Sequence, residues 1–178
     1  MENQDYALRT AGRPAKLIGE KDQSTQYVER SAVRVVVQGP DGQILVIKVR
    51  KGNYFKLPGG GVEGGEDHVE AAEREVAEET GCKVAIEGAC VATTEEYRGD
   101  LHQLSYCYFA RVVDKSGKPE LTEDEIEDGL THQWASVNQA LAMMAAVEPT
   151  SELGRFIQER DIFLLKATVG DGSRCEGK

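Results

Sequence analysis

The acidic run from Arg74 to Gly81, REVAEETG, constrains the fold of this chain more than any other feature. Glu75 lies three residues before Glu78 and four before Glu79. Side chains at these spacings are neighbours on an α-helix, and like charges placed there weaken it. The chain therefore needs a physical reason for grouping these carboxylates.

The residues around this run predict a helix from about Asp67 to Thr80, because Gly81 is a natural helix stop. At about 100° per residue, one stripe of this helix is suited to face a sheet, and the three glutamates form a neighbouring stripe. The sheet-facing stripe consists of Val69, Ala72, Val76 and Thr80.

A glycine-rich segment, LPGGGVEGGE, precedes the helix, and Gly59 to Gly61 allow backbone atoms to approach a ligand closely. A hard divalent cation takes carboxylate and carbonyl oxygens as ligands. The alternative is a solvated acidic face, which is the usual interpretation of such a helix. The neighbouring loop favours the cation, which would neutralise the repulsion among the glutamates.

Strands and helices are both predicted in the rest of the chain. Strands are predicted at 31–38, 43–50, 83–93 and 104–113, and another near Trp134; Asp41-Gly42 indicates a hairpin turn between the first two. Residues 121–129 are predicted to be an acidic loop or short helix. The pair Ser136 and Gln139 fits a capping box that opens a helix through about Val147, and 151–165 predicts a last helix.

The length of 178 residues suits one domain, predicted at 29–168, with an N-terminal extension at 1–28 and a disordered tail at 169–178. The net charge of -10 argues against docking on a nucleic-acid duplex. The longest apolar run, Ala140 to Val147, is too short to cross a membrane. We expect a cytoplasmic protein with reduced thiols, because its four cysteines form no CxxC pair and no signal peptide is evident.

The segment from Gly60 to Cys82 resembles the Nudix hydrolase family, whose signature is G-x5-E-x7-R-E-U-x-E-E-x-G-U, with U a bulky aliphatic residue. Glu66, Arg74 and the three glutamates occupy the fixed positions, and the order of the flanking elements is also similar. Cys82 replaces the last aliphatic residue, and as a small hydrophobe it should pack in its place.

This resemblance implies an α/β fold, a Nudix-type α/β/α sandwich with a central mixed sheet, and hydrolysis of a diphosphate bond in a nucleotide-type small molecule. It also implies Mg²⁺ or Mn²⁺ as the cofactor. The implied ligands are Glu75, Glu78, Glu79 and the Gly59 carbonyl. Glu66 and Arg74 would brace the loop and orient the carboxylates.

In the implied reaction water attacks phosphorus, and a carboxylate takes the proton of that water. Glu75 is the first choice for this base. Glu125 and Glu127 in the acidic segment TEDEIEDG are the alternatives, weighed evenly against the view that this segment is merely solvated. Tyr54, Phe55 and Tyr97 are candidate substrate-binding residues, although a single tyrosine such as Tyr97 is more often a packing or strand residue.

The substrate stays open between a nucleoside triphosphate, including an oxidised one, and a nucleotide sugar or other NDP-X compound. ADP-ribose is a less favoured substrate. Many ADP-ribose hydrolases of this family carry a proline shortly after the box, and this chain has no proline between Pro58 and Pro119. The regular box argues against an isoprenoid diphosphate isomerase, because those enzymes carry an altered box. RNA decapping is disfavoured, because the acidic chain has no obvious track of basic residues that would bind RNA. The competing class is a silent nucleotide sensor, which the complete box disfavours. The resemblance to this family also suggests a homodimer.

Overall fold

Seven strands among the described residues, 12–170, form one mixed sheet in this computed structural model, in the order β1-β5-β6-β2-β3-β4 with β7 paired to β3. The strands are β1 (Ala15–Ile18), β2 (Val28–Gln38), β3 (Ile44–Val49), β4 (Tyr54–Lys56), β5 (Lys83–Arg98), β6 (Leu101–Asp114) and β7 (Leu130–Ala135). The helices are α1 (His68–Thr80), α2 (Glu123–Asp128), α3 (Val137–Ala146) and α4 (Glu152–Gly170). β1 runs parallel to β5 and β2 parallel to β6, whereas the other pairs are antiparallel.

The alternation of side chains along β2 divides the core into two layers. Val33 and Val35 pack against the α1 side with Ala72, whereas Val36 packs on the other side with residues of α3 and α4, among them Met144. Each face of the sheet is therefore covered by helices, and the predicted α/β/α sandwich with a central mixed sheet is confirmed.

The first two long strands are joined by the predicted turn, but they pair with each other only at Gln38 and Ile44. Beyond that point the glycine-rich loop hydrogen-bonds to β2 instead. Val33 N donates to the Gly60 carbonyl and Val35 N to the Pro58 carbonyl, each at 2.9 Å. The loop is thus held against the sheet like an additional strand, which fixes the backbone beside the acidic helix.

Several boundaries differ from the sequence-based expectation. β5 and β6 extend to a tight turn at Gly99, so that polar residues beyond 93 and before 104 belong to the sheet. In α1 the buried face includes Ala71 and Glu79, whereas Val69, predicted to face the sheet, is 40% exposed.

The ends of the chain are described in part. A strand within the predicted N-terminal extension, β1, pairs with β5 from Ala15↔Thr93 onward. α4 continues through Gly170, two residues into the predicted tail. Residues 1–11 and 171–178, which hold the rest of both predicted segments, lie outside the described residues. Within 12–170, no helix is both long and apolar enough to cross a membrane.

Candidate active site

Helix α1 is fixed at both ends by local backbone chemistry. The Asp67 carboxylate caps the helix by accepting from Val69 N at 2.8 Å and Glu70 N at 2.9 Å. Glu70 completes the capping box by accepting from Asp67 N at 2.9 Å. Gly81 ends the helix with a φ of 73°, in the left-handed region that glycine adopts without strain. The acidic residues of α1 therefore stand in a fixed register.

Two glycines of the preceding loop leave room for this helix and for β2. Gly59 has a φ of 140°, and a Cβ there would come 2.1 Å from the Val33 carbonyl oxygen. A Cβ at Gly60 would come 2.4 Å from Oε1 of Glu75. The loop backbone and the Glu75 carboxylate thus lie in direct contact, which a larger side chain at Gly60 would prevent.

The Arg74 guanidinium connects the loop to the acidic helix. It donates to Glu66 at 3.0 and 2.6 Å, to the Gly61 carbonyl at 3.0 Å, to Glu75 at 3.0 Å and to Glu78 at 3.1 Å. The Arg74 hydrogen bonds and the backbone amide of Glu63 lower the pKa of Glu66 to about 2. Glu66 and Arg74 therefore stand where the bracing role predicted for them requires.

The Glu79 carboxylate is buried at the base of the site, with 4% of the residue exposed. Gly59 N donates to its Oε2 at 2.9 Å, and Lys56 Nζ donates to its Oε1. The same Lys56 ammonium lies 3.4 Å from the Gly59 carbonyl oxygen. A cation is thus already held between a carboxylate and a loop carbonyl.

Glu75 experiences an excess of negative charge. Burial and the neighbouring charge of Glu79 raise its pKa, although Arg74 and Lys56 act in the other direction. The buried Glu79 and the partly buried Glu75 line one cleft with Gly59, and carboxylate and carbonyl oxygens fit a hard divalent cation in donor type. Among residues 12–170, however, no group of three or more His, Cys, Asp or Glu side chains is arranged as a metal site. Instead, ion pairs with Arg74 and Lys56 occupy the carboxylates.

A cleft of about 300 Å³ opens above these groups and combines acidic with basic residues. Gly59, Glu75 and Glu79 line it together with Lys56. The charged residues contributed by β2, β5 and α4 are Arg30, Arg34, Glu96, Arg98 and Arg160. A cleft of this composition suits a ligand that carries phosphate groups and associated cations.

The structure separates the predicted acidic residues into those at the cleft and those outside its lining. Glu78 is absent from the cleft lining, and its side chain is 43% exposed beside Arg74. Glu125 lines the cleft, but its carboxylate accepts from Thr122 N at 2.8 Å in the capping box of α2. Glu127 lies outside the lining and pairs with Lys51 at 2.8 Å on the surface.

The three aromatic residues predicted to bind substrate do not line the cleft. Tyr54 is buried in a core cluster that includes Ile157. Phe55 packs against the core, with Lys48 Nζ 4.4 Å from the centre of its ring. Tyr97 donates to Glu95 at 2.7 Å and stacks on His102 with ring centres 4.5 Å apart.

The sequence analysis did not single out the arginines of the cleft. Arg34 carried a detectable signal, because a charged residue interrupts the β-branched strand SAVRVVVQ, and arginine is rarely buried unless it is paired. Arg160 carried no comparable signal. It reaches the cleft from α4, and only the tertiary packing of that helix reveals its position.

Comparison with known proteins identifies the family of this chain. A family model described as NUDIX domain matches residues 28–153. A relative named RNA pyrophosphohydrolase, from Pelagibacter ubique (strain HTCC1062), is 41% identical over 56 residues. That match covers 30% of this chain and 35% of the relative, so it spans about a third of the length of that protein.

Solved structures share the fold at lower identity. A NUDIX hydrolase from Nitrosomonas europaea aligns with a TM-score of 0.55 and 22% identity, covering 74% of this chain and 87% of the other. A MutT protein from Methanosarcina mazei Go1 aligns with a TM-score of 0.58 and 16% identity, covering 84% of this chain and 100% of the other. A UDP-X diphosphatase aligns with a TM-score of 0.56 and 16% identity, covering 96% of this chain and 73% of the other. At these identities the likeness extends to the fold alone.

Proposed function

The chain belongs to the NUDIX domain family, and from this premise we propose that it is a metal-dependent hydrolase of a diphosphate bond in a nucleotide derivative. The observation that carries the proposal is the cleft itself. It combines the loop carbonyl of Gly59 and the carboxylates of Glu75 and Glu79 with a wall of arginines. A diphosphate with its counter-cation carries both charges that such a cleft attracts.

Members of this family generally use divalent cations, and we propose Mg²⁺ or Mn²⁺ here. Glu75, Glu79 and the Gly59 carbonyl would hold the ion, with Glu78 supplying a further carboxylate from the same helix. When bound, the ion supplies charge neutralisation and polarises phosphorus toward attack. Lys56, which now donates to Glu79, would be released to contact a phosphate oxygen.

We assign Glu75 the role of general base. Its carboxylate lines the cleft in contact with the glycine-rich loop, where it can accept the proton of an attacking water. Glu125 is the alternative at the same cleft, but it would first give up the Thr122 amide that it accepts from. Glu127 loses support as a base, because it pairs with Lys51 outside the cleft lining.

The substrate class is a nucleoside triphosphate or an NDP-X compound. A second candidate is a pyrophosphate-bearing RNA end, favoured by the name of the Pelagibacter relative. The net charge of -10 disfavours long contacts with an RNA backbone, so a short end would be the recognised part. A homodimer and a cytoplasmic location stay predictions; the described cysteines, all of them free thiols, are compatible with the latter.

The test is turnover against a panel of dNTPs, 8-oxo-dGTP, nucleotide sugars, NADH, dinucleoside polyphosphates, ADP-ribose and 5′-triphosphorylated RNA. Each substrate is assayed with Mg²⁺, with EDTA, and with the variants Glu75→Gln and Glu79→Gln. Glu73→Gln is the matched control, because Glu73 is an exposed residue of the same helix. We expect turnover that requires metal, survives in the control and collapses in both site variants. A ligand that binds without being turned over would instead support the sensor function.

A further inference from the structure

Two buried arginines reach the cleft from different elements. Arg34 of β2 is 5% exposed and Arg160 of α4 is 2% exposed, and both line the cleft. Burying a guanidinium is costly unless acceptors surround it, because each one carries five N–H groups. The two side chains are close enough that burial, followed by the charge of Arg160, lowers the pKa of Arg34 to about 10. Both therefore stay charged near neutral pH.

The acceptors around these arginines leave part of each guanidinium without a partner. Arg34 Nη1 donates to the carbonyls of Val33 at 2.5 Å and Gly60 at 3.4 Å, but its buried Nε has no acceptor. Arg160 Nε donates to Asp161 at 2.7 Å and its Nη1 lies 3.6 Å from Glu96, but its buried Nη2 has no acceptor. Buried donors in native proteins are nearly always satisfied by protein, ligand or ordered water, so these two need a partner from outside the described residues.

The charges of the same wall identify the kind of ligand. Four arginines line the cleft, namely Arg30, Arg34, Arg98 and Arg160. The carboxylates whose charges act on Arg34 are Glu79 and, more strongly, Asp161 and Glu96. The last two carboxylates are already engaged, since Gln103 Nε2 donates to Glu96 at 3.0 Å and Leu57 N donates to Asp161 at 2.8 Å. The acceptor oxygens of these carboxylates are thus shared with other donors, and an anion with several acceptor oxygens would match the arginine donors that have no acceptor among the described residues.

We propose that Arg34 and Arg160 form a phosphate-binding subsite on the β2 and α4 wall of the cleft, which holds one phosphoryl group of a diphosphate while the other faces the α1 carboxylates. This subsite rests on the proposed function for its role in turnover. Its capacity to bind a phosphate is independent of the metal and of Glu75, because it uses residues of other elements.

The test is calorimetric titration of the full chain with inorganic pyrophosphate in EDTA. Arg34→Lys and Arg160→Lys each keep the positive charge and remove the donor that has no partner. Arg155→Lys is the matched control, because Arg155 is an exposed residue of α4 that does not line the cleft. We expect binding by the wild type and the control, and roughly 10- to 100-fold weaker binding by each site variant, the usual range for charge-assisted hydrogen bonds. Equal affinity in folded site variants and control, or no binding by the wild type, overturns the proposal and leaves ordered water as the partner of these donors.

A second measurement does not depend on whether the variants fold. Pyrophosphate added to ¹⁵N-labelled wild type should shift the Nε–H resonance of Arg34, which has no acceptor in the free protein. An unchanged resonance at saturating pyrophosphate contradicts the subsite.

The outcomes separate this subsite from the proposed function. If pyrophosphate binding depends on Arg160 but no substrate of the panel is turned over, the proposed subsite is supported and the proposed hydrolase activity is contradicted. If turnover requires metal but kcat and KM are unchanged in Arg160→Lys, the proposed hydrolase activity is supported and the proposed subsite is contradicted. If both stand, Glu75→Gln should abolish turnover and still bind pyrophosphate in EDTA, at least as tightly as the wild type, because the variant removes a negative charge from the cleft.

Discussion

The Cα of Gly60 lies against the Glu75 carboxylate, so closely that a Cβ at Gly60 would come 2.4 Å from Oε1 and 2.5 Å from Oε2 of that residue. The glycine-rich loop and the acidic helix are therefore matched in shape at the residue to which we assign proton transfer. The three atoms nearest to such a Cβ all belong to the Glu75 carboxylate.

Gly60→Ala should displace the Glu75 carboxylate and lower kcat on the order of 100-fold, since small misplacements of reacting groups cost about that much. The matched control is Gly64→Ala, because a Cβ at Gly64 meets nothing within 4 Å. Steady-state kinetics of both variants, with thermal unfolding as a check on folding, make the comparison. Similar kcat values for the two variants would show that the contact has no catalytic consequence.

Arg74 joins the loop to three glutamates through a planar set of donors, and lysine cannot reproduce that set. Arg74→Lys should lower the free energy of unfolding by about 1–3 kcal/mol, the scale of lost charge-assisted hydrogen bonds. It should also weaken metal binding, because Glu75 and Glu78 lose their common partner. Urea unfolding measures the first effect, with Arg155→Lys as an exposed control. Unchanged stability would mean that this network does not hold the loop.

The lowered pKa of Glu66 predicts that the stability of the protein depends on pH. Its pKa in the folded protein is lowered to about 2 from an ordinary 4.5, so its contribution is complete above the unfolded value and is lost as the pH falls toward the folded one. The difference in urea midpoint between wild type and Glu66→Gln should therefore be largest at pH 6 and shrink steadily between pH 4.5 and 2. A constant difference over that window would contradict the ion pair with Arg74.

Replacing Tyr54, a predicted substrate-binding residue, tests whether it serves in packing instead. Because its ring lies in the core with Ile47 and Ile157, Tyr54→Leu should destabilise the fold by about 1–3 kcal/mol. It should leave KM unchanged, since Tyr54 does not line the cleft. A raised KM with wild-type stability would restore the substrate-binding role. Thermal unfolding and KM are measured on the same preparation.

The sequence predicted the parts of this protein that depend on local rules. Helix α1 begins one residue after the predicted start at about Asp67 and ends at Thr80 before the predicted stop at Gly81, and Ser136 opens α3 through the predicted capping box. The central mixed sheet with helices on both faces was implied by the resemblance of the segment from Gly60 to Cys82 to the Nudix family, and it is confirmed. These features depend on neighbours in the chain or on a spacing with many fixed positions.

The remaining features depend on tertiary packing that no local pattern encodes. The separation of β2 from β3 depends on the glycine-rich loop taking the place of a strand. The burial of Tyr54 depends on α4, which packs over β4, and Arg160 reaches the cleft from the same helix. The residues that complete the cleft are therefore far apart in the chain, and single-sequence periodicity is blind to such contacts.

Direct measurement of cation binding tests the central claim, that the α1 carboxylates and the glycine-rich loop form a metal-dependent catalytic site. Mn²⁺ is titrated into wild type, Glu75→Gln, Glu79→Gln and the exposed control Glu73→Gln, and free Mn²⁺ is followed by electron paramagnetic resonance. We predict binding in the wild type and the control, and a loss of at least about tenfold in affinity in each of the other two variants. Equal Mn²⁺ affinity in all four proteins would contradict the claim, because the cation would then bind elsewhere.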